Sequence, residues 1–352
     1  MNPDPTQIKM FQYLVFSKLE GAVTAGMMYL GDQLGLYREI AEYGPIAIDD
    51  LATQMNLHPR WVREWAHNQL AAKVLEGDVD TVAMSDAAAA VLADDTSPAF
   101  AMGSIGQLPQ YIQALQHVQD SFVTGVGHDY DTHGHAGAVG VDRSFEPWNR
   151  NFLVPTVIPA LDGVADKLAA GAVVADVGCG AGSAVMLLAD AFPASTYTGY
   201  DISQHALTLA RQRAVGRANV AFVDPRQQPL PDDHSVDVLF TFDCLHDMTH
   251  PQEMVDAIAS ALKPDGTWLL VDVKALDTFE ENIAKNPMAS LMYGISVLHC
   301  MSSAMSAPDG AGLGTLGLPE SKAREMATAA GLTRFRKLDI DHGANFFYEI
   351  RP

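Results

Sequence analysis

The stretch Val173-Val174-Ala175-Asp176-Val177-Gly178-Cys179-Gly180-Ala181-Gly182-Ser183 constrains this chain more than any other. A short apolar run ends in an acid and its neighbour, a Gly-x-Gly-x-Gly turn follows, and a helical pattern begins. Glycine accepts positive φ and lets backbone approach a ligand, so the order is strand, tight turn, helix. Further apolar runs at 196–200, 219–223, 236–242 and 267–273 join the first at 172–176, with helical patterns near 183–191, 203–215 and 251–262. Strands alternating with helices predict a parallel sheet covered on both faces. A helical insertion at 279–304 and a helix at 319–330 follow. Two β-like runs, 333–340 and 345–350, flank the hairpin connection Asp341-His342-Gly343-Ala344.

The front of the chain reads differently. Leu14, Val15, Leu19, Val23, Met27, Leu30 and Leu34 recur at helical spacing, predicting a helix over 11–40. After Gly44-Pro45 come a short helix from Asp49 to Met55, a turn at Asn56-Leu57-His58 and a helix opened by Pro59, a favoured first-turn residue. An extended stretch at 80–84 completes the order of a winged helix. Residues 86–125 read as helical, while the Gly- and His-rich stretch 125–142 has no periodicity and reads as a mobile loop. The expected division is a winged-helix domain over 1–125, a linker loop and helix over the active site at 126–164, and a ligand-binding domain over 165–352.

Charge bears on partners. The formal net charge of −21 disfavours nucleic acid, because phosphate binding needs surplus Lys and Arg. Within residues 1–80 six basic side chains face eleven acidic ones, and the would-be recognition helix carries Trp61, Val62 and Trp65, which read as packing residues. Cys179, Cys244 and Cys300 are far apart and odd in number, which suits a reducing compartment. The N-terminus lacks a basic signal region, and no uncharged apolar run reaches membrane-spanning length, so a cytoplasmic protein without membrane association is expected.

The glycine turn must next be given a ligand. Asp201 ends the second strand nineteen residues past Gly182, where a carboxylate accepts from ribose hydroxyls. A nicotinamide dinucleotide would want a glycine at position 183, which is Ser183, and its pyrophosphate would meet Asp176. S-adenosylmethionine carries no phosphate and offers an ammonium group instead. It is the better expectation.

With these residues in hand, the chain from about 165 onward resembles the class I S-adenosylmethionine-dependent methyltransferases. Thr198-Gly199-Tyr200-Asp201, Val223-Asp224, the Leu262-Lys263-Pro264-Asp265-Gly266 turn and the closing hairpin carry the resemblance. It implies a Rossmann-like seven-stranded sheet. It also implies that Asp176, Gly178, Cys179, Gly180 and Gly182 hold the methionine part, Asp201 the ribose and Asp224 the adenine amino group. Ile202 would pack on the adenine face, though packing at a helix start explains it equally; Phe242 and Asp243 complete the cofactor-side expectation. Leu34-Gly35-Leu36-Tyr37 and Ile48-Asp49-Asp50-Leu51-Ala52 are similar to the winged-helix dimerisation domain of small-molecule O-methyltransferases, implying a homodimer.

Methyl transfer from a sulfonium is an in-line displacement that needs alignment and exclusion of water, and a hydroxyl acceptor also benefits from a base. The fourth strand delivers Asp243-Cys244-Leu245-His246-Asp247-Met248, whose Leu-His-Asp resembles the segment carrying the catalytic histidine in that family. His246 is the candidate base, with Asp243 orienting its ring. Met248-Thr249 stands where the family has Trp-Ser, which leaves the acceptor open, and His246 can also be read as structural. Trp148, Tyr293 and His299, with Met301 and Met305, are candidates to line an apolar pocket or simply to form core. His128, His133, His135, Asp129 and Asp131 lack regular ligand spacing, so no metal is expected. A protein that binds the cofactor as a sensor without catalysis is the alternative from another class.

Overall fold

The computed structural model describes residues 4–352. The chain divides into two compact units, one running to Leu108 and taking in Arg143–Trp148, the other holding Pro109–Asp142 and Asn149–Pro352. The first boundary therefore falls earlier than the one expected near 125, and the helix Leu108–Thr124 goes almost wholly with the second unit.

The first unit opens with the helix Pro5–Gln33, whose N-terminus Asp4 caps by accepting from the Thr6 N–H at 2.9 Å. Gly35, at φ +75°, ends it and starts a second helix, Leu36–Tyr43, so the single helix expected over 11–40 is two. Strand β1 (Ile46–Ala47), the helices Ile48–Gln54 and Pro59–Ala71, and strands β2 (Glu76–Gly77) and β3 (Thr81–Ala83) follow, with sheet order β1-β3-β2. This is the winged-helix arrangement. Leu36, Ile40, Ile48 and Leu51 are fully buried, each contributing about 1.5–3 kcal/mol. The polar atoms of the large core rings are answered: Tyr37 donates to Gln69 at 2.6 Å and Trp65 Nε1 to the Met27 carbonyl at 2.9 Å. Of the three residues expected to pack, Val62 and Trp65 are buried, but Trp61 is 78% exposed because it lies on the outer side of its helix. Arg63 pairs with Asp49 and Asp80, and Arg60 with Glu64, so acids occupy the basic side chains of this helix. The first helix is unlike the rest of the unit. Its Met10, Phe11, Tyr13 and Phe16 are all more than 60% exposed.

In the second unit β4 (Val173–Val177), β5 (Thr196–Tyr200), β6 (Val220–Val223), β7 (Val236–Phe242), β8 (Leu262–Val273), β9 (Arg334–Lys337) and β10 (Asn345–Arg351) form one sheet of order β6-β5-β4-β7-β8-β10-β9. Only β10 runs against the others, pairing antiparallel with both β8 and β9. Each strand begins within two residues of its expected place except β8, which takes in the Lys263-Pro264-Asp265-Gly266 run; there its register against β7 shifts between Val236 and Val238. Val238, Leu239, Phe240, Trp268, Leu269 and Leu270 are fully buried, as expected of central strands covered on both faces.

The stretch 125–142 departs from the expected loop. Residues Tyr130–His133 form a 3₁₀ turn and Gly134–Phe152 a helix. Tertiary bonds hold the stretch: Gly127 N–H donates to Met305 O at 2.8 Å, His128 N–H to Ser302 O at 3.1 Å, and Asp142 pairs with Arg213. No helix among the described residues is long and apolar enough to cross a membrane.

Candidate active site

Strand order reverses at β4, which has β5 on one side and β7 on the other, and the crevice beyond such a strand end is where open α/β sheets bind ligands. Gly178, Gly180 and Gly182 lie there at φ +74°, +54° and +78°. A side chain at 178 would meet Cys244 Sγ at 2.6 Å, and one at 182 the Phe222 ring at 2.4 Å, whereas at 180 nothing stands within 4 Å. The turn is pinned from behind, since the Gly178 and Cys179 N–H groups both donate to Tyr200 O, at 2.8 and 3.1 Å. Asp201 closes it by accepting from the N–H of Gly180 and of Ser203, each at 2.8 Å. Burial raises the Asp201 carboxyl above its ordinary range even though these two donors pull it down.

Asp176 is 2% exposed and its Oδ1 has no hydrogen-bond partner. Burial, with the charge of Asp201 nearby, pushes its carboxyl well above the usual range. A buried, unanswered acid beside an open glycine suits a ligand bearing an ammonium group. These residues fit S-adenosylmethionine. Asp224 is already engaged: its oxygens accept from Arg226 Nη2 and Gln204 Nε2, both at 2.8 Å, and the Arg226 interaction holds its carboxyl low. Ile202 is 37% exposed, free to cover a ligand face, and Phe242 stacks on Phe240 with centroids 5.8 Å apart.

On the neighbouring strand end, β7 is followed by Asp243 at φ +49° and by a 3₁₀ turn, Leu245–Asp247. His246 is 2% exposed, with Nδ1 2.6 Å from Asp272 Oδ1 on β8 and Nε2 3.1 Å from Asp247 Oδ1. The Nε2 contact is an ion-pair distance without hydrogen-bond alignment, since Asp247 Oδ1 has no hydrogen-bond partner. Burial works against a charged ring, but Asp272 and Asp247 outweigh it and raise His246 well above the ordinary imidazole range. Asp243 does not orient this ring as expected. Its left-handed backbone leaves its carboxylate with Asn345, which donates to it, and burial together with Asp272 pushes its carboxyl up to about 8. The orienting acid is Asp272, which sequence reasoning missed; the available signal was one acid inside the apolar run Leu269-Leu270-Val271-Asp272-Val273.

Of the residues expected to line a pocket, His299 is buried and stacks on His133, centroids 3.7 Å apart and planes 13° from parallel, with Tyr130 edge-on at 5.3 Å. Burial lowers both rings, His133 to about 3, and so works against a charge on either. Tyr293 packs against Phe279, and Trp148 falls in the first unit. The acids of 125–142 diverge: Asp131 accepts from Ser203 Oγ at 2.7 Å, while Asp129 caps the turn that follows it.

A family profile described as a methyltransferase domain matches residues 175–268, from β4 into β8. The chain carries a methyltransferase domain. Trans-aconitate 2-methyltransferase of Methylobacterium nodulans is 34% identical over 128 residues, 35% of this chain and 46% of that protein. The matches to curated relatives thus span less than half of the relatives' length. Among solved structures, mitomycin 7-O-methyltransferase superimposes with a TM-score of 0.70 at 22% identity over 99% of both chains. Human N-acetylserotonin methyltransferase, in complex with S-adenosylmethionine, gives 0.69 at 15% identity over 99% of both. The methyltransferase fold therefore extends through both units, winged helix included.

Proposed function

We propose that this chain transfers the methyl group of S-adenosylmethionine to an oxygen of a small molecule, with His246 taking the acceptor's proton. The observation that carries the reading is a buried imidazole, oriented by Asp272, on the strand end next to the glycine loop. When bound, the cofactor supplies an electrophilic methyl group. Asp176 would hold the ammonium, the glycine turn the methionine part, Asp201 the ribose hydroxyls, and Ile202 and Phe242 the adenine. Asp224 would reach the adenine amino group only after Gln204 or the half-exposed Arg226 lets go. The stacked pair His133–His299 would form one wall of the acceptor pocket.

For proton transfer Nε2 must be unprotonated and Asp247 turned from it, so the ring becomes a base as pH rises. Asp272 keeps Nδ1 protonated and Nε2 directed outward. The exposed apolar face of Pro5–Gln33 would be covered by a second copy, giving a homodimer. The test is incubation with labelled S-adenosylmethionine and a panel of hydroxylated and carboxylated small molecules. Label in an O-methyl product, lost in His246→Ala while S-adenosylhomocysteine still binds, supports the reading. Cofactor binding without turnover on any acceptor, joined to ligand-dependent retention on DNA, would turn it toward a sensor.

A further inference from the structure

We propose that His246, Asp247 and Cys300 form a three-ligand site for a zinc-class divalent cation, and that the ion and the acceptor's proton compete for the same imidazole nitrogen. This consequence rests on the reading of His246 as the base; the binding itself does not. Among the described residues these three side chains bring one imidazole nitrogen, one carboxylate oxygen and one sulfur within 4.8 Å of one another. His246 and Cys300 are buried, and the Asp247 side chain is only 12% exposed. A mixed N, O, S set selects zinc or its surrogate cobalt over magnesium or calcium, which take oxygen.

Two further observations point to a cation. Asp272 on Nδ1 at 2.6 Å is the carboxylate partner that metal-ligating histidines regularly have, and it leaves Nε2 toward the cluster. Asp247 Oδ1 is buried and stands 3.1 Å from His246 Nε2 without hydrogen-bond alignment, so two of the three ligand atoms already face one another. Ligand atoms around a tetrahedral ion lie roughly 3.3–3.8 Å apart; His246 Nε2 and Asp247 Oδ1 already stand 3.1 Å apart, and no pair in the set is separated by more than 4.8 Å. Three protein ligands leave a fourth position open, as catalytic rather than structural zinc sites do. An ion on Nε2 takes the lone pair that proton removal uses. Metal loading therefore lowers turnover, and chelation restores it.

The experiment uses the full chain, freed of metal by dialysis against a chelator. Zinc is titrated in competition with a chromophoric chelator, and cobalt is followed by absorption. One equivalent should bind, and cobalt should show the visible bands of tetrahedral coordination with a sulfur charge-transfer band. Cys300→Ser should lose that band and bind at least about 10-fold more weakly, and Asp272→Asn should bind about 10–100-fold more weakly, the effect of removing an orienting partner. S-adenosylhomocysteine binding is the folding control for both variants; if either fails it, the wild-type stoichiometry and sulfur band decide alone. No stoichiometric binding, or a sulfur band that survives in Cys300→Ser, overturns the site. Bound metal without any effect on turnover overturns the competition. Failure of methyl transfer itself leaves the metal titration readable, so the two readings fail separately.

Discussion

The glycine loop and the histidine centre sit at the ends of paired strands, β4 and β7, yet they are assembled by opposite means. The loop is local and made of backbone: three positive-φ glycines in five residues, tied by N–H groups to Tyr200 O and Asp201. The centre is distant and made of side chains, with His246 from the β7 turn, Asp272 from β8 and Cys300 from the helical insertion. Both regions favour a bound proton, but for different reasons: burial raises the Asp176 carboxyl, whereas two acids raise His246 against burial.

The largest expected effect separates the two regions outright. His246→Ala should lower kcat by about 10²–10⁴-fold, the usual share of general-base catalysis, with S-adenosylhomocysteine affinity unchanged by calorimetry. Equal losses in kcat and cofactor binding would merge the regions into one unit. In the other direction, Asp201→Ala should weaken S-adenosylhomocysteine binding by about 1.5–3 kcal/mol, the worth of a hydrogen bond to a charged group. NADH should bind neither protein; a calorimetric signal for NADH in the wild type would mean the loop was misassigned.

The pH profile sharpens the contrast further. Turnover should rise through a pKa above the ordinary imidazole value of about 6.5, because the ring must first lose the proton its acids hold. Stability moves the other way: a raised folded-state pKa contributes fully below the unfolded value and is lost as pH climbs through the folded one. Asp272→Asn should shift the kinetic limb to lower pH, and an unmoved limb would exclude Asp272 as the orienting acid. The smallest effect is Gly182→Ala, expected to cost about 1–3 kcal/mol by denaturant melt, since its Cβ would meet the Phe222 ring at 2.4 Å and φ there is +78°.

What sequence could reveal follows the same line. Alternating strands and helices, the glycine turn and Asp201 are short-range signals, and β4 to β7 lie within a residue or two of the places they predict. Asp272 and Cys300 are 26 and 54 residues past His246 and meet it only through strand pairing and the insertion, so nothing local announces them. The Gly- and His-rich stretch misled for the converse reason. Gly134, Gly137 and Gly140 weaken a helix taken alone, and the ties of Gly127, His128 and Asp142 to distant residues hold the segment in place.

The outward-facing aromatic side chains of the first helix carry a consequence for how this molecule responds to dilution. If a second copy covers Phe11, Tyr13 and Phe16, water is excluded from them only while copies meet, and folding becomes linked to association. The melting temperature is then no fixed property of the sequence: it climbs with the amount of protein in the tube and slips as the solution is thinned.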